Sequence, residues 1–160
     1  MIRRYRPADA QPTRDVFVAA VLQGAQGRYS AAQLQDWLPD PAMPDGWGPW
    51  LDGHITFVAE QAGQLTGFMM LERSGYLNMA FVVLSQMGKG VADALYAAIL
   101  EQARTLAPLR LTVLASRYAT SFFTRHGWQP ANDLTDLDGQ DPNQGPDDTP
   151  VNRPMGLTLP

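Results

Sequence analysis

Phe81-Val82-Val83-Leu84-Ser85-Gln86-Met87-Gly88-Lys89-Gly90-Val91-Ala92-Asp93-Ala94-Leu95 is the stretch on which the reading of this chain turns. The apolar run Leu77 to Leu84 ends in a short polar break, and Gly88-Lys89-Gly90 then opens a long amphipathic segment. Strand, tight loop and helix follow, with the glycines at the helix start. A helix N-terminus leaves its first four N–H groups without intrahelical partners and carries partial positive charge, so it suits a phosphate. Gly88 and Gly90 have no Cβ, which lets an anion approach the backbone and lets the loop take φ > 0. Lys89 adds a point charge. Two familiar phosphate loops are excluded. Lys89 is followed by Gly90 and not by Ser or Thr, and a dinucleotide fingerprint would need glycine where Asp93 stands.

Outward from this loop, strands alternate with helices. Ile55–Glu60 and Leu65–Leu71 flank a polar turn and predict a hairpin, and Tyr76–Leu84 is the next strand. Val91–Ala107 presents Val91, Leu95, Ala98, Ile99, Ala103 and Leu106 on one face, with Asp93, Glu101 and Arg104 on a solvated one. Leu109, Leu111, Val113 and Ala115 alternate as a buried strand. Nearer the N-terminus, Ile2–Arg6 predicts a short strand, followed by a helix carrying Val16, Phe17, Ala20 and Val21, and Ser30 caps a helix over 31–38. The stretch 39–50 is too rich in Pro and Gly to predict regular structure, although it carries Trp47 and Trp50. Such alternation indicates an α/β or α+β sheet with helices on both faces.

Composition narrows the class. At 160 residues the chain predicts one domain, 1–160, and 45% hydrophobic with 18% charged residues fits a globular protein. A net charge of −4 argues against nucleic acid as a partner. The absence of cysteine excludes disulfides, thiolate metal sites and a cysteine acyl-enzyme. Met1–Arg6 lacks the apolar core of a secretory signal, and no apolar run reaches the ~20 residues of a membrane span. The default location is cytoplasmic, with no membrane partner. The Asp-rich stretch 131–150 is expected to be a mobile acidic loop: a calcium loop starting at Leu134 would end at Gly145, and both lack a carboxylate. Residues 151–159 predict a last strand, confined by Pro154 to an edge or bulge. His54 and His126 are separated and make a poor metal site or triad.

Met87-Gly88-Lys89-Gly90-Val91-Ala92 resembles motif A of the GNAT superfamily, the acyl-CoA-dependent N-acyltransferases, in which Arg or Gln, two residues, Gly, one residue and Gly or Ala follow a strand. Leu109–Ala115 and Ser116–Trp128 are similar to its motif B, and the hairpin stands where the superfamily has one. The resemblance implies the GNAT fold: a mixed, mostly antiparallel sheet splayed at its middle strands. It also implies acetyl-CoA as acyl donor, with pantetheine along Val82 and Val83 and pyrophosphate on Met87, Gly88, Lys89, Gly90, Val91 and Ala92. The implied activity is N-acetyl transfer to a primary amine of a small molecule or peptide. Without cysteine, the route is direct attack in a ternary complex.

This chain departs from the superfamily pattern at three points. Met87 replaces the Arg or Gln, so a side-chain contact to phosphate is missing. Phe123 stands where many members carry a Tyr that protonates the leaving thiolate. Asn78 stands where relatives often place a carboxylate; an amide is no general base, though it can orient a water or an amine. Asn78, Glu72 and Tyr118 are the catalytic candidates. Trp37, Trp47 and Trp50 are candidate walls for an apolar acceptor. The three departures set a second reading beside the enzyme, a catalytically impaired acyl-CoA-binding or sensing module. Neither the acceptor nor the oligomeric state, a homodimer included, is written in the sequence.

Overall fold

A computed structural model describes residues 1–24, 30, 32, 35, 38, 40–106, 110–116, 119–131 and 152–159. In chain order the described elements are β1 (Ile2–Arg4), a 3-10 turn (Pro7–Asp9), α1 (Ala10–Gly24), α2 (Trp47–Asp52), β2 (Ile55–Gln61), β3 (Gln64–Leu71) and β4 (Tyr76–Val82). A second 3-10 turn (Leu84–Gln86) leads to α3 (Val91–Leu106), β5 (Arg110–Ser116), α4 (Thr120–Arg125), β6 (Gln129–Pro130) and β7 (Asn152–Thr158). The strands form one sheet in the order β1-β2-β3-β4-β5-β7-β6. Every pair is antiparallel except β4 with β5.

β3 shows why the sheet is covered on both faces. Phe68, Met69, Met70 and Leu71 are all buried, and successive side chains of a strand point to opposite faces. Phe68 and Met70 join Val16 of α1 and Trp47 and Leu51 of α2 in one core. Met69 and Leu71 join Leu95, Ile99 and Ala103 of α3 in the other. Gly67 lets α3 come close, since a Cβ there would lie 2.9 Å from the Phe81 carbonyl and 3.2 Å from Leu95 Cδ1.

Two expectations are corrected. The stretch 39–50, expected to be irregular throughout, has its last four residues, 47–50, at the start of α2. Gly46 takes φ +85° to start the helix, and Pro49 falls in its first turn, where a missing N–H costs no helical bond. β7 is not at an edge but lies between β5 and β6. Pro154 fits there because its carbonyl accepts from Ala131 N–H, so its nitrogen faces the same side, where β6 has already ended at Pro130. The helix expected over 31–38, apart from isolated positions, and the acidic stretch beyond Ala131 lie outside the described residues.

The N-terminal strand is tied down by charge. Arg3 donates through both terminal nitrogens to Asp9, at 2.8 and 2.9 Å, and through Nε to Glu60 at 2.6 Å. The Asp9 carboxylate also accepts from Arg6 N–H. The Arg3 hydrogen bonds hold the Asp9 carboxyl below its usual value, against the opposing effect of burial. Arg3 and Asp9 side chains are only 14% and 8% exposed, so solvent screening is limited. Asp9→Ala is expected to cost about 2–3 kcal/mol near neutral pH. Because the folded state depresses this carboxyl, its contribution is complete above the unfolded value of about 3.9 and is lost as pH falls through the lower folded value. Urea midpoints should therefore separate wild type and variant by a constant gap at neutral pH, narrowing only below about pH 4.

Candidate functional site

The site begins with a register error. Met70 lies opposite Met79 and Leu71 opposite Leu77, so Asn78 is an extra residue on β4, a β-bulge. On the other edge of β4, pairing with β5 covers only Tyr76↔Thr112 and Leu77↔Val113 and stops at the bulge. Beyond it β4 runs on to Val82 and β5 to Ser116 as separate strands. The wedge between them opens into a cleft of about 730 Å³, floored by both strands and closed by α1, α3 and α4.

At one end of the cleft stand Met87, Gly88, Gly90, Val91 and Ala92. Gly88 and Gly90 take φ +75° and +84°, and a Cβ at either would meet nothing within 4 Å, so the space in front of the loop is open. The first i→i−4 bond of α3 runs from Ala94 N–H to the Gly90 carbonyl, so the N–H groups of residues 91–93 precede the helical ladder. Lys89 is exposed and does not line the cleft. Val83 has both backbone groups committed: its N–H goes to Thr66 and its carbonyl accepts from Gln86. By the alternation of an antiparallel ladder, Val82 turns its N–H and C=O the other way, toward the gap left by β5.

Asn78, at the bulge, also lines the cleft, and its Nδ2 donates to Glu72 Oε1 at 2.7 Å. The carboxylate therefore fixes the amide with its oxygen turned away from Glu72. Tyr76 sits beside them, and burial, with Glu72 nearby, pushes its phenol up. Tyr118 and Trp37 lie outside the described residues. Phe123 is buried against Trp128, with ring centroids 5.0 Å apart.

Trp47 and Trp50 are placed elsewhere. Trp47 is 5% exposed, packs with Phe17 and Phe68 in the core, and donates Nε1–H to Thr13 Oγ1 at 3.1 Å. Trp50 is half-exposed between Trp47 and His54. The aromatic wall of the cleft is instead Phe17 of α1 against Phe81 of β4, with centroids 4.9 Å apart. A helical stripe and a strand residue give no sign in sequence that they will meet.

Sequence reasoning also missed Gln86 and Arg125, both on the cleft; Asp93 is solvated as expected, its side chain 42% exposed, but it too lines the cleft and has partners at the end of α4. Asp93 Oδ1 lies 2.8 Å from His126 Nε2 and 3.0 Å from Arg125 Nη1. The Arg125 guanidinium, with His126 beside it, holds the Asp93 carboxyl below its ordinary value. Among the described residues no group of three or more His, Asp or Glu converges to hold a metal, and no helix is long and apolar enough to cross a membrane.

Residues 26–140 match the Acetyltransferase (GNAT) domain family. The uncharacterized N-acetyltransferase YafP of Escherichia coli (strain K12) is 32% identical over 128 residues, 80% of each chain. A GCN5-related N-acetyltransferase of Rhodopseudomonas palustris shares 28% identity and superposes with a TM-score of 0.80, covering 99% of this chain and 95% of its own. The putative acetyltransferase yncA of Salmonella typhimurium, solved with acetyl-CoA, shares the fold at a TM-score of 0.71 and 16% identity, over 100% of this chain and 94% of that one.

The placement of the two tryptophans can be checked by stability alone. Trp47→Ala is expected to cost about 3–5 kcal/mol in urea unfolding, as for a large core side chain. Trp50→Ala should cost about 1 kcal/mol or less. Equal losses would count against the assignment of Trp47 to the core.

Proposed function

This chain belongs to the GNAT acetyltransferase family, the acetyl-CoA-dependent N-acyltransferases, and from that premise we propose that it acetylates a primary amine of a small molecule or peptide by direct attack within a ternary complex. The observation that carries this reading is the early end of β4–β5 pairing at Leu77↔Val113, with a positive-φ glycine loop at one end of the resulting cleft and Asn78 at the other.

The residues present fit acetyl-CoA. The open space over Gly88 and Gly90 and the unpaired N–H groups at the start of α3 suit a pyrophosphate. The free edge of β4 at Val82 offers backbone partners to an amide-bearing arm; Val83, already engaged with Thr66 and Gln86, does not. Acetyl-CoA supplies a thioester, an acyl group already activated toward nitrogen. The chain has no cysteine to take that acyl group, which favours direct transfer.

The protein's part in the chemistry is to orient the amine, remove its proton and exclude water. Asn78, held by Glu72, presents an amide oxygen that accepts an N–H from the acceptor and so orients it. Glu72 is the carboxylate coupled to that position, and we assign it the amine's proton, passed through solvent. Phe17 and Phe81 line the route with apolar surface, which suits an acceptor with an apolar body. Tyr118 keeps its place as a catalytic candidate on sequence grounds.

Three experiments bear on this reading. Release of free thiol from acetyl-CoA, followed over a panel of primary amines, should identify an acceptor. With that acceptor, Asn78→Ala should lower kcat about 10- to 100-fold while changing CoA affinity less than about twofold. A similar loss of affinity would instead make Asn78 a binding residue. On the phosphate side, Gly90→Val should weaken CoA binding about tenfold or more, because a β-branched residue is strained at φ +84° and fills the open space. Met87→Arg should tighten it about 3- to 10-fold by adding a charge-assisted contact at a half-exposed position. Calorimetric titrations on variants with wild-type circular dichroism would falsify the cradle if neither shift appeared.

A further inference from the structure

The cleft has a charge problem that its glycine loop does not solve. Coenzyme A carries several phosphate charges, and the position from which a side chain could meet them holds Met87, 51% exposed and uncharged. Among the described residues lining the cleft, two are charged: Asp93, in the first turn of α3, and Arg125, at the end of α4. A bare carboxylate one turn from a phosphate cradle would repel the ligand. Asp93 is not bare. Its Oδ1 meets Arg125 Nη1 at 3.0 Å and His126 Nε2 at 2.8 Å, and Arg125 Nη2 donates to Oδ2 at 3.3 Å. The carboxylate is thus turned toward α4 with both oxygens engaged there.

Arg125 is fixed from a second side as well. Its guanidinium lies 5.4 Å from the centroid of Phe122, another residue of the cleft. A guanidinium has five N–H groups in a rigid fork, and Asp93 occupies only part of that fork. Its side chain remains 59% exposed, so the rest is accessible from the mouth of the cleft. A planar cation held by a carboxylate below and an aromatic ring beside it has little freedom left to lose when an anion arrives.

Resting on the acetyl-CoA reading above, we propose that Arg125 contacts a phosphate of the bound coenzyme, with Asp93 as the residue that positions it, so that the cation missing at Met87 is supplied across the cleft from α4. The pair would otherwise be a plain staple between α3 and α4. An exposed ion pair of that kind contributes little to stability, so the two roles separate in binding and not in folding.

The experiment uses the full chain and three ligands that differ in phosphate content. CoA and dephospho-CoA are titrated by calorimetry, and pantetheine, which has no phosphate, by NMR shifts. Arg125→Gln, with a melting temperature close to wild type, is expected to weaken CoA about 5- to 20-fold and to leave pantetheine within about twofold. If the loss persists with dephospho-CoA, the pyrophosphate is the partner. If it vanishes, the 3′-phosphate is; both results uphold the proposal. Wild-type affinity for CoA in Arg125→Gln overturns it, as does an equal loss for pantetheine, which is what a staple alone predicts. Failure of the wild-type protein itself to bind CoA would overturn the acetyl-CoA reading, a result that involves no Arg125 variant.

Discussion

One inserted residue organises the molecule. Because Asn78 is extra on β4, the strand bends away from β5 after two paired residues, and the sheet opens at its centre instead of closing over the ladder. A parallel pair that stops so soon leaves backbone donors and acceptors on β4 and β5 with no strand to meet. Their exposure would be costly in a dry interior. It is tolerated here because the gap is a cleft, open to solvent and to a ligand with amides of its own. The same bulge sets a polar side chain on the cleft, so opening the sheet and placing Asn78 are one event.

The two cores hold the strands that flank this opening. α3 is drawn onto β3 at Gly67, where no Cβ intervenes, and its N-terminus is thereby aimed along the cleft. On the opposite face, α1 and α2 lock through Trp47, whose Nε1–H reaches Thr13 while Arg14 lies 5.0 Å from both the Trp47 and Phe17 rings. Arg14 is itself buried and donates to the carbonyls of Asp40 and Pro41, which ties the Pro-rich stretch to α1. The position of Phe17 in the cleft therefore depends on packing that begins at a proline-rich segment some 25–30 residues away in sequence. That dependence explains why Trp47 is better placed for architecture than for contact with an acceptor.

The sequence made the elements legible where one signal dominated. Period-two alternation in Leu111, Val113 and Ala115 and the helical stripe of 91–106 matched what the backbone does, and the glycines of residues 88–90 announced the positive φ values that they adopt. It misled where local composition stood in for geometry. Pro49 looked like a breaker and is harmless in the first turn of α2, and Pro154 looked like an edge marker and faces a neighbour that has already ended. The site was half legible for a related reason. Motif positions along one segment, from Met87 to Ala92, can be read in order. Contacts between segments 32 or 33 residues apart, such as Asp93 with Arg125 and His126, cannot, because no periodicity links two helices that meet only after the sheet is built. Asn78 was singled out for its identity, but that it is the bulge itself needed the register of both neighbours.

An acidic chain that binds a polyanion must do so against its own net charge of −4. The geometry shows how little that opposes it. Charges farther than a Debye length, about 8 Å in physiological salt, are screened, so the net charge of the whole chain is a poor guide to the field inside the cleft. What acts there is local and mostly dipolar: N–H groups at the start of a 16-residue helix and in a glycine loop, which carry no formal charge to be neutralised elsewhere. Among the described residues that line the cleft, the one carboxylate is Asp93, and it is engaged by Arg125 and His126. A site built this way gains little from long-range steering and depends on fit at short range, which is why a β-branched side chain at Gly90 is expected to bear on it more than the charge of the whole chain.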